Sequence, residues 1–156
     1  DEKLIEEIIG AAYEVRKRLA QGYLESTYEN ALIVELQMRG LFVENQVSME
    51  VDYKGVVVGV FKADLLVEKR VIIEIKAVSQ LNKIHELQLV NYLTTTHIDH
   101  GILVNFGGDK FEVKRKYREY HPRRVRLGES ISHSHHRGRL ARRHRSHRQR
   151  TTEGVP

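Results

Sequence analysis

The stretch Val71-Ile72-Ile73-Glu74-Ile75-Lys76 decides how this chain is read. It is apolar enough for a buried strand, yet it carries one carboxylate and one amine. On a strand, residues two apart point to the same face, so Glu74 and Lys76 stand side by side. Charged side chains are rarely buried unless they are paired or bound to a metal. The plainest explanation of such a pair is a simple ion pair. Asp64, ten residues upstream on what reads as the preceding strand, makes that explanation less economical because it adds a third charged group.

Working outward, the pattern is helical before this region and mixed after it. Residues 2–20 place Leu4, Ile5, Ile8, Ile9, Ala12, Val15 and Leu19 at helical spacing. Gln21-Gly22 breaks that helix, and a second runs from about Glu25 to Arg39 with Tyr28, Ala31, Leu32 and Leu36 on one stripe and Gly40 at its end. Val47 to Tyr53 then alternates as a strand, and Lys54-Gly55 reads as a turn. Val56 to Val67 is β-rich, with a bend or break expected at Gly59. Glu68-Lys69-Arg70 is a short polar loop, and Val71 to Ala77 is the most apolar strand. Asn82 to about Thr95 reads as a helix whose apolar face is Ile84, Leu87, Val90 and Leu93. Gly101 to Phe106 is another buried strand, and Phe111 to Lys116 an edge strand. A helix between the third and fourth strands implies a crossover, so that pair is expected to be parallel. The expected fold is α/β: a mixed central sheet flanked by helices.

Loop length decides whether Asp64 meets Glu74. A two-residue loop would place Asp64 opposite Ile75. A three-residue loop pairs Val67 with Val71 and places Asp64 opposite Glu74, on the face that also carries Lys76. The second register is the expectation. Two opposed carboxylates repel, and one is pushed towards protonation unless a cation lies between them. Mg²⁺ commonly takes one or two carboxylates and keeps waters and phosphate oxygens for the rest of its shell. The expected site therefore binds Mg²⁺ (or Mn²⁺) through Asp64 and Glu74, with the main-chain carbonyl of Ile75 as a further oxygen. Lys76 stands ready to orient the attacking water and offset negative charge.

These residues resemble a known signature. Asp64 followed by Glu74-Ile75-Lys76 is similar to the motif of the PD-(D/E)XK nuclease superfamily, with Ala63 where the nominal motif has Pro. Gly22-Tyr23-Leu24-Glu25-Ser26-Thr27-Tyr28 fits the Gly-x-x-Glu-x-x-Tyr pattern of the GxxExxY proteins, a branch of that superfamily. The segment His85 to Leu93 resembles the helix after the Glu-x-Lys strand, including Gln88 and Tyr92 at the Gln-x-x-x-Tyr positions. Asn105-Phe106-Gly107 resembles the end of a later strand. The resemblance spans about residues 5–118 and implies a restriction-endonuclease-like core (αβββαβ). It also implies that Glu25 is the acidic residue contributed by a core helix, and that Gln88 supports the site. Tyr92, His85 and Tyr28 are expected to help position substrate, with a core role as the alternative for Tyr28. For Glu25, a favourable place in a helix's first turn explains the residue equally well. For the Gln88–Tyr92 face, the plainer alternative is a polar helix stripe bonded to its neighbours.

Charge is divided unevenly. The chain carries a formal +5, but residues 121–156 hold ten arginines against two acids, a net of +8. The preceding 120 residues hold 16 basic and 19 acidic side chains, a net of −3. The basic pI thus belongs to the tail, and the body offers no broad basic surface for nucleic acid. The division expected is a nuclease-like domain over 1–120 and a disordered Arg/His-rich tail over 121–156. An altered reading frame would also produce such a switch in composition. His133, His135, His136, His144 and His147 lack a framed metal-ligand spacing. There is no cysteine, so thiolate metal sites and disulfides are excluded. No run approaches the ~18 apolar residues of a membrane span. No signal peptide is visible and the start at Asp1 points to a trimmed chain, so a cytoplasmic protein without membrane association is the expectation.

The function expected is Mg²⁺-dependent hydrolysis of phosphodiester bonds, with DNA as the nucleic-acid partner. A non-catalytic module that binds nucleic acid or protein on the same fold is the alternative, and a purely structural domain is a third. The apolar first helix offers a surface for a second subunit, so a homodimer is also entertained.

Overall fold

Six apolar residues on one face of the first helix set the first layer. In α1 (Glu2–Arg18), Leu4, Ile5, Ile8, Ala11, Ala12 and Val15 are buried, following the 3.6-residue period. α2 (Glu25–Met38) buries Tyr28, Leu32 and Leu36, four residues apart. Its end is a Schellman closure: Gly40 takes φ 79°, the Gly40 amide donates to the Gln37 carbonyl, and the Leu41 amide donates to that of Leu36. The stripe on α1 that suggested a second subunit is buried in the chain's own core.

The computed structural model describes residues 1–119, so the expected tail at 121–156 lies outside the described residues. Five strands follow the two helices, with α3 between the third and fourth: β1 (Val43–Tyr53), β2 (Val56–Val67), β3 (Val71–Lys76), α3 (Lys83–Thr96), β4 (His100–Asn105) and β5 (Glu112–Tyr117). They form one sheet in the order β1-β2-β3-β4-β5. β2–β3 and β4–β5 are antiparallel, and β3–β4 is parallel, as the crossover through α3 requires. β1 begins four residues earlier than the alternation at Val47 indicated, and β2 runs through Gly59 without a break. Residues Asp1–Val51 and Gly59 onward form one compact unit. The hairpin tip, Asp52–Val58, belongs to a second. In the tip, Lys54 and Gly55 adopt positive φ and the Gly55 amide donates to the Asp52 carboxylate at 3.2 Å.

The sheet is covered on both faces. Leu65, Val67, Val71, Ile73, Ile75, Ile102, Val104 and Phe106 meet α1 and α2 on one side. Phe61, Ala63, Leu66, Ile72 and Leu103 meet α3 on the other. This explains the near-continuous apolar run of β3, which has no solvent face to display. α3 docks differently from its sequence reading. Leu89 and Leu93 are buried, Val90 is half-buried, and Ile84 and Leu87 are 72% and 60% exposed. Leu89 and Leu93 fit over Gly101, where an added Cβ would lie 2.9 Å from Leu93 and 3.1 Å from Leu89. The close approach at Gly101, rather than the total apolar content of the helix, selects the docking face.

Candidate metal and nucleic-acid site

The loop between β2 and β3 sets the site. Val67 pairs with Val71, Leu66 with Ile72, and Leu65 with Ile73. This is the three-residue-loop register, and the ladder carries it as far as Leu65 and Ile73; beyond it the alternation slips, since Ala63 packs on the α3 side and Leu65 on the α1–α2 side. Glu68 and Lys69 hold the turn at φ 51° and 55°, and the Arg70 amide donates to the Val67 carbonyl at 3.0 Å. Side chains then hold the two strands together. The Ile75 amide donates to Asp64 Oδ2 at 2.8 Å, and the Asp64 amide donates to Glu74 Oε1 at 3.3 Å. Each carboxylate is thus fixed by an amide of the opposing strand.

The electrostatics follow from that placement. Burial pushes the Glu74 carboxyl up to about 8, and the Asp64 carboxylate beside it adds to the rise. The Asp64 amide and the Lys76 ammonium oppose it. Glu25, in the first turn of α2, is also raised, by desolvation first and then by Asp64. Lys76 and the Ala77 amide pull Glu25 the other way. Asp64, Glu74, Lys76 and Glu25, drawn from two strands and a helix, thus influence one another's charge. Among the described residues no three His, Asp or Glu side chains converge closely enough to form a metal cage by themselves. Asp64 and Glu74, each held by an amide of the other strand, are the pair that could hold a hard cation that keeps several waters.

The helix after β3 contributes as well. Tyr92 is raised by desolvation and then by Glu74, while Gln88 hydrogen-bonds to its hydroxyl. The Tyr92 ring stacks on Phe61 with centroids 3.6 Å apart and planes 5° apart, which fixes it against β2. Gln88 and Tyr92 therefore reach the Glu74 side of the site. His85 is held in the capping box of α3. Its amide donates to Asn82 Oδ1 at 3.1 Å, and its Nδ1 accepts from the Asn82 amide at 3.3 Å. Tyr28 is fully buried, stacked on Phe106 at 4.7 Å. Its hydroxyl donates to the Ala20 carbonyl at 2.6 Å and accepts from the Tyr23 amide. It packs the core and holds the loop before α2 rather than reaching the surface.

Two residues enter the site that sequence reasoning passed over, and a third, Asn105, braces the segment beside it. Glu29 is raised by desolvation, and Asp64 and Glu25 add to that rise, which brings it into the same acidic group. It follows Glu25 by four residues, a spacing that shares a helix face and was open to notice. Gln46, in β1, donates to both Glu29 and Asp64, and nothing in the local sequence marks it. Asn105 is fully buried, and an Asn inside an apolar strand must find partners there. Its Oδ1 accepts from the Val78 and Gly107 amides, and its Nδ2 donates to the Val78 carbonyl at 2.9 Å. The chain leaving β3 just beyond Lys76 is thereby clamped to β4. Gly107 lies so close to that segment that a Cβ would fall 2.4 Å from the Ala77 carbonyl carbon.

Among the described residues no helix is long and apolar enough to cross a membrane. No curated protein matches the chain. A solved structure described as "Crystal structure of SSO0001" is similar at 21% identity with a TM-score of 0.46, over 62% of this chain and 52% of that one. The chain thus spans about half the length of that protein. A family profile described as the PD-(D/E)XK nuclease superfamily matches residues 2–116, which contain every site residue named above. With its acidic pair, its Glu-x-Lys strand and this match over most of its length, the chain belongs to the PD-(D/E)XK nuclease superfamily.

Proposed function

We propose that this protein is a divalent-metal-dependent nuclease that hydrolyses phosphodiester bonds in DNA, with Mg²⁺ (or Mn²⁺) as its cofactor. We place it in the GxxExxY branch of the superfamily on the Gly22-to-Tyr28 motif. The observation that carries the reading is the mutual fixing of Asp64 and Glu74, with Glu74 pushed to about 8 and Lys76 beside it. A structural ion pair does not require two carboxylates held against each other.

Asp64 and Glu74 would hold the cation, with the Ile75 carbonyl as a further ligand and Glu25 behind it. When bound, the cation supplies charge neutralisation at the phosphate and activation of water. Lys76 contributes a fixed positive charge where negative charge develops on the phosphate. Gln88 holds the Tyr92 hydroxyl on the Glu74 side, and the Phe61–Tyr92 stack keeps that wall rigid. The Tyr92 phenol, like any tyrosine, is protonated at neutral pH, and desolvation holds it further from ionisation, so it is available as a hydrogen-bond donor.

The test is cleavage of linear, plasmid and single-stranded DNA, and of RNA, with Mg²⁺ or Mn²⁺. Asp64→Ala should abolish turnover, and Lys76→Ala should lower kcat about 10²–10³-fold with metal affinity retained. Nucleic-acid binding that is indifferent to EDTA, without cleavage of any of these substrates, would instead favour a binding module.

A further inference from the structure

We propose that Gln46 is a positioning residue that orients the Asp64 carboxylate for the cation; this rests on the metal-dependent reading above. Its Nε2 donates to Glu29 Oε1 at 2.7 Å and to Asp64 Oδ1 at 3.3 Å. Asp64 Oδ2 is already held by the Ile75 amide at 2.8 Å. Both Asp64 oxygens therefore have a protein donor from different strands, and the carboxylate has no free rotation. Each oxygen keeps a lone pair for another partner. The amide orientation follows from chemistry, since turning it would point its carbonyl oxygen at two carboxylates.

The backbone supports the same assignment. Gln46 holds φ 51° inside β1, a left-handed conformation uncommon for a residue with a side chain. Such conformations are unfavourable by about 1–3 kcal/mol and persist where the surroundings fix them. Glycine would adopt the conformation freely, yet glycine has no amide to offer. Keeping Gln here is intelligible if its side chain is needed. The amide also separates two acids that repel each other, one from α2 and one from β2. It thereby ties the helix bearing Glu25 and Glu29 to the strand bearing Asp64.

Groups that orient metal-binding side chains typically change metal affinity 10–100-fold when removed. Mg²⁺ demands near-ideal octahedral geometry, so a loosened ligand should weaken it severely. The experiment compares the wild type with Gln46→Gly and Gln46→Ala by calorimetric titration with Mg²⁺ and with Mn²⁺, and by thermal unfolding in EDTA. Both variants should bind Mg²⁺ at least about tenfold more weakly, with a smaller loss for Mn²⁺. Gln46→Gly should unfold later than Gln46→Ala, because it relieves the backbone that alanine keeps strained. That combination separates an orienting amide from a merely structural residue. Equal Mg²⁺ affinity in wild type and both variants overturns the inference alone. So does a loss in Gln46→Ala that Gln46→Gly restores, since the backbone would then be the cause. A wild type that binds neither cation overturns the metal-dependent reading of the whole site, and the inference with it.

Discussion

Glu74 is where burial and chemistry pull against each other. An ordinary glutamate titrates near 4.5, and here burial and Asp64 push the group to about 8. Below about 4.5 the carboxyl is protonated whether the chain is folded or not, and its contribution to stability is full. Above that pH the unfolded chain releases the proton while the fold retains it. Stability of the metal-free protein is then lost as pH rises through about 8, by at most about 1.4 kcal/mol per pH unit. Glu25 and Glu29 are raised as well and act in the same direction. Thermal unfolding in EDTA across pH 5 to 9 should show this decline, and excess Mg²⁺ should flatten it. Glu74→Gln, neutral throughout, should match wild type at acid pH and exceed it at alkaline pH, while losing metal binding. Because a ligand carboxylate must deprotonate, metal affinity should rise with pH until about 8, with about one proton released per cation at neutral pH. Calorimetry in buffers of different ionisation enthalpy measures that proton.

At the scale of elements, two lengths matter more than any composition. The three-residue loop after Val67 fixes the pairing of β2 with β3 as far as Leu65 and Ile73, and it was legible because side chains alternate along paired strands. Deleting Lys69 should destroy Mg²⁺ binding and lower the melting temperature, since slipping by one residue would also turn Leu65 and Val67 out of the core. Inserting one Gly beside Lys69 should preserve the register at a loss of under about 1 kcal/mol. Calorimetric titration and thermal unfolding of both variants distinguish these outcomes. The face of α3 was misread because Ile84, Leu87, Val90 and Leu93 fit helical spacing as well as Leu89 and Leu93 do. Only the contact with Gly101, brought from β4 by parallel pairing, decides between them. Gly101→Val should therefore destabilise by about 1–3 kcal/mol through overpacking, measurable by urea denaturation. Gln46 was illegible for a related reason. Its role needs α2 and β2 brought to β1, together with a backbone turn that no local pattern announces.

For the molecule as a whole, the Asn105 clamp ties together parts that are far apart in the chain. Asn105 holds Val78, and Arg16 on α1 donates to the carbonyl of Phe106 at 3.0 Å and to that of Gly108 at 3.3 Å. Asn105→Ala would leave the Val78 amide and carbonyl and the Gly107 amide without this partner, at about 1–3 kcal/mol for each group that finds no other. Its melting temperature should fall, and Mg²⁺ affinity should fall with it as the end of β3 loosens. The same clamp bears on the order in which the chain is made. By residue 100, synthesis has supplied Glu25, Glu29, Gln46, Asp64, Glu74, Lys76, Gln88 and Tyr92. What is missing is β4 beside β3, and the asparagine that closes its end. A growing chain would therefore hold every side chain of the proposed site well before those side chains have their frame, and competence would wait for β4.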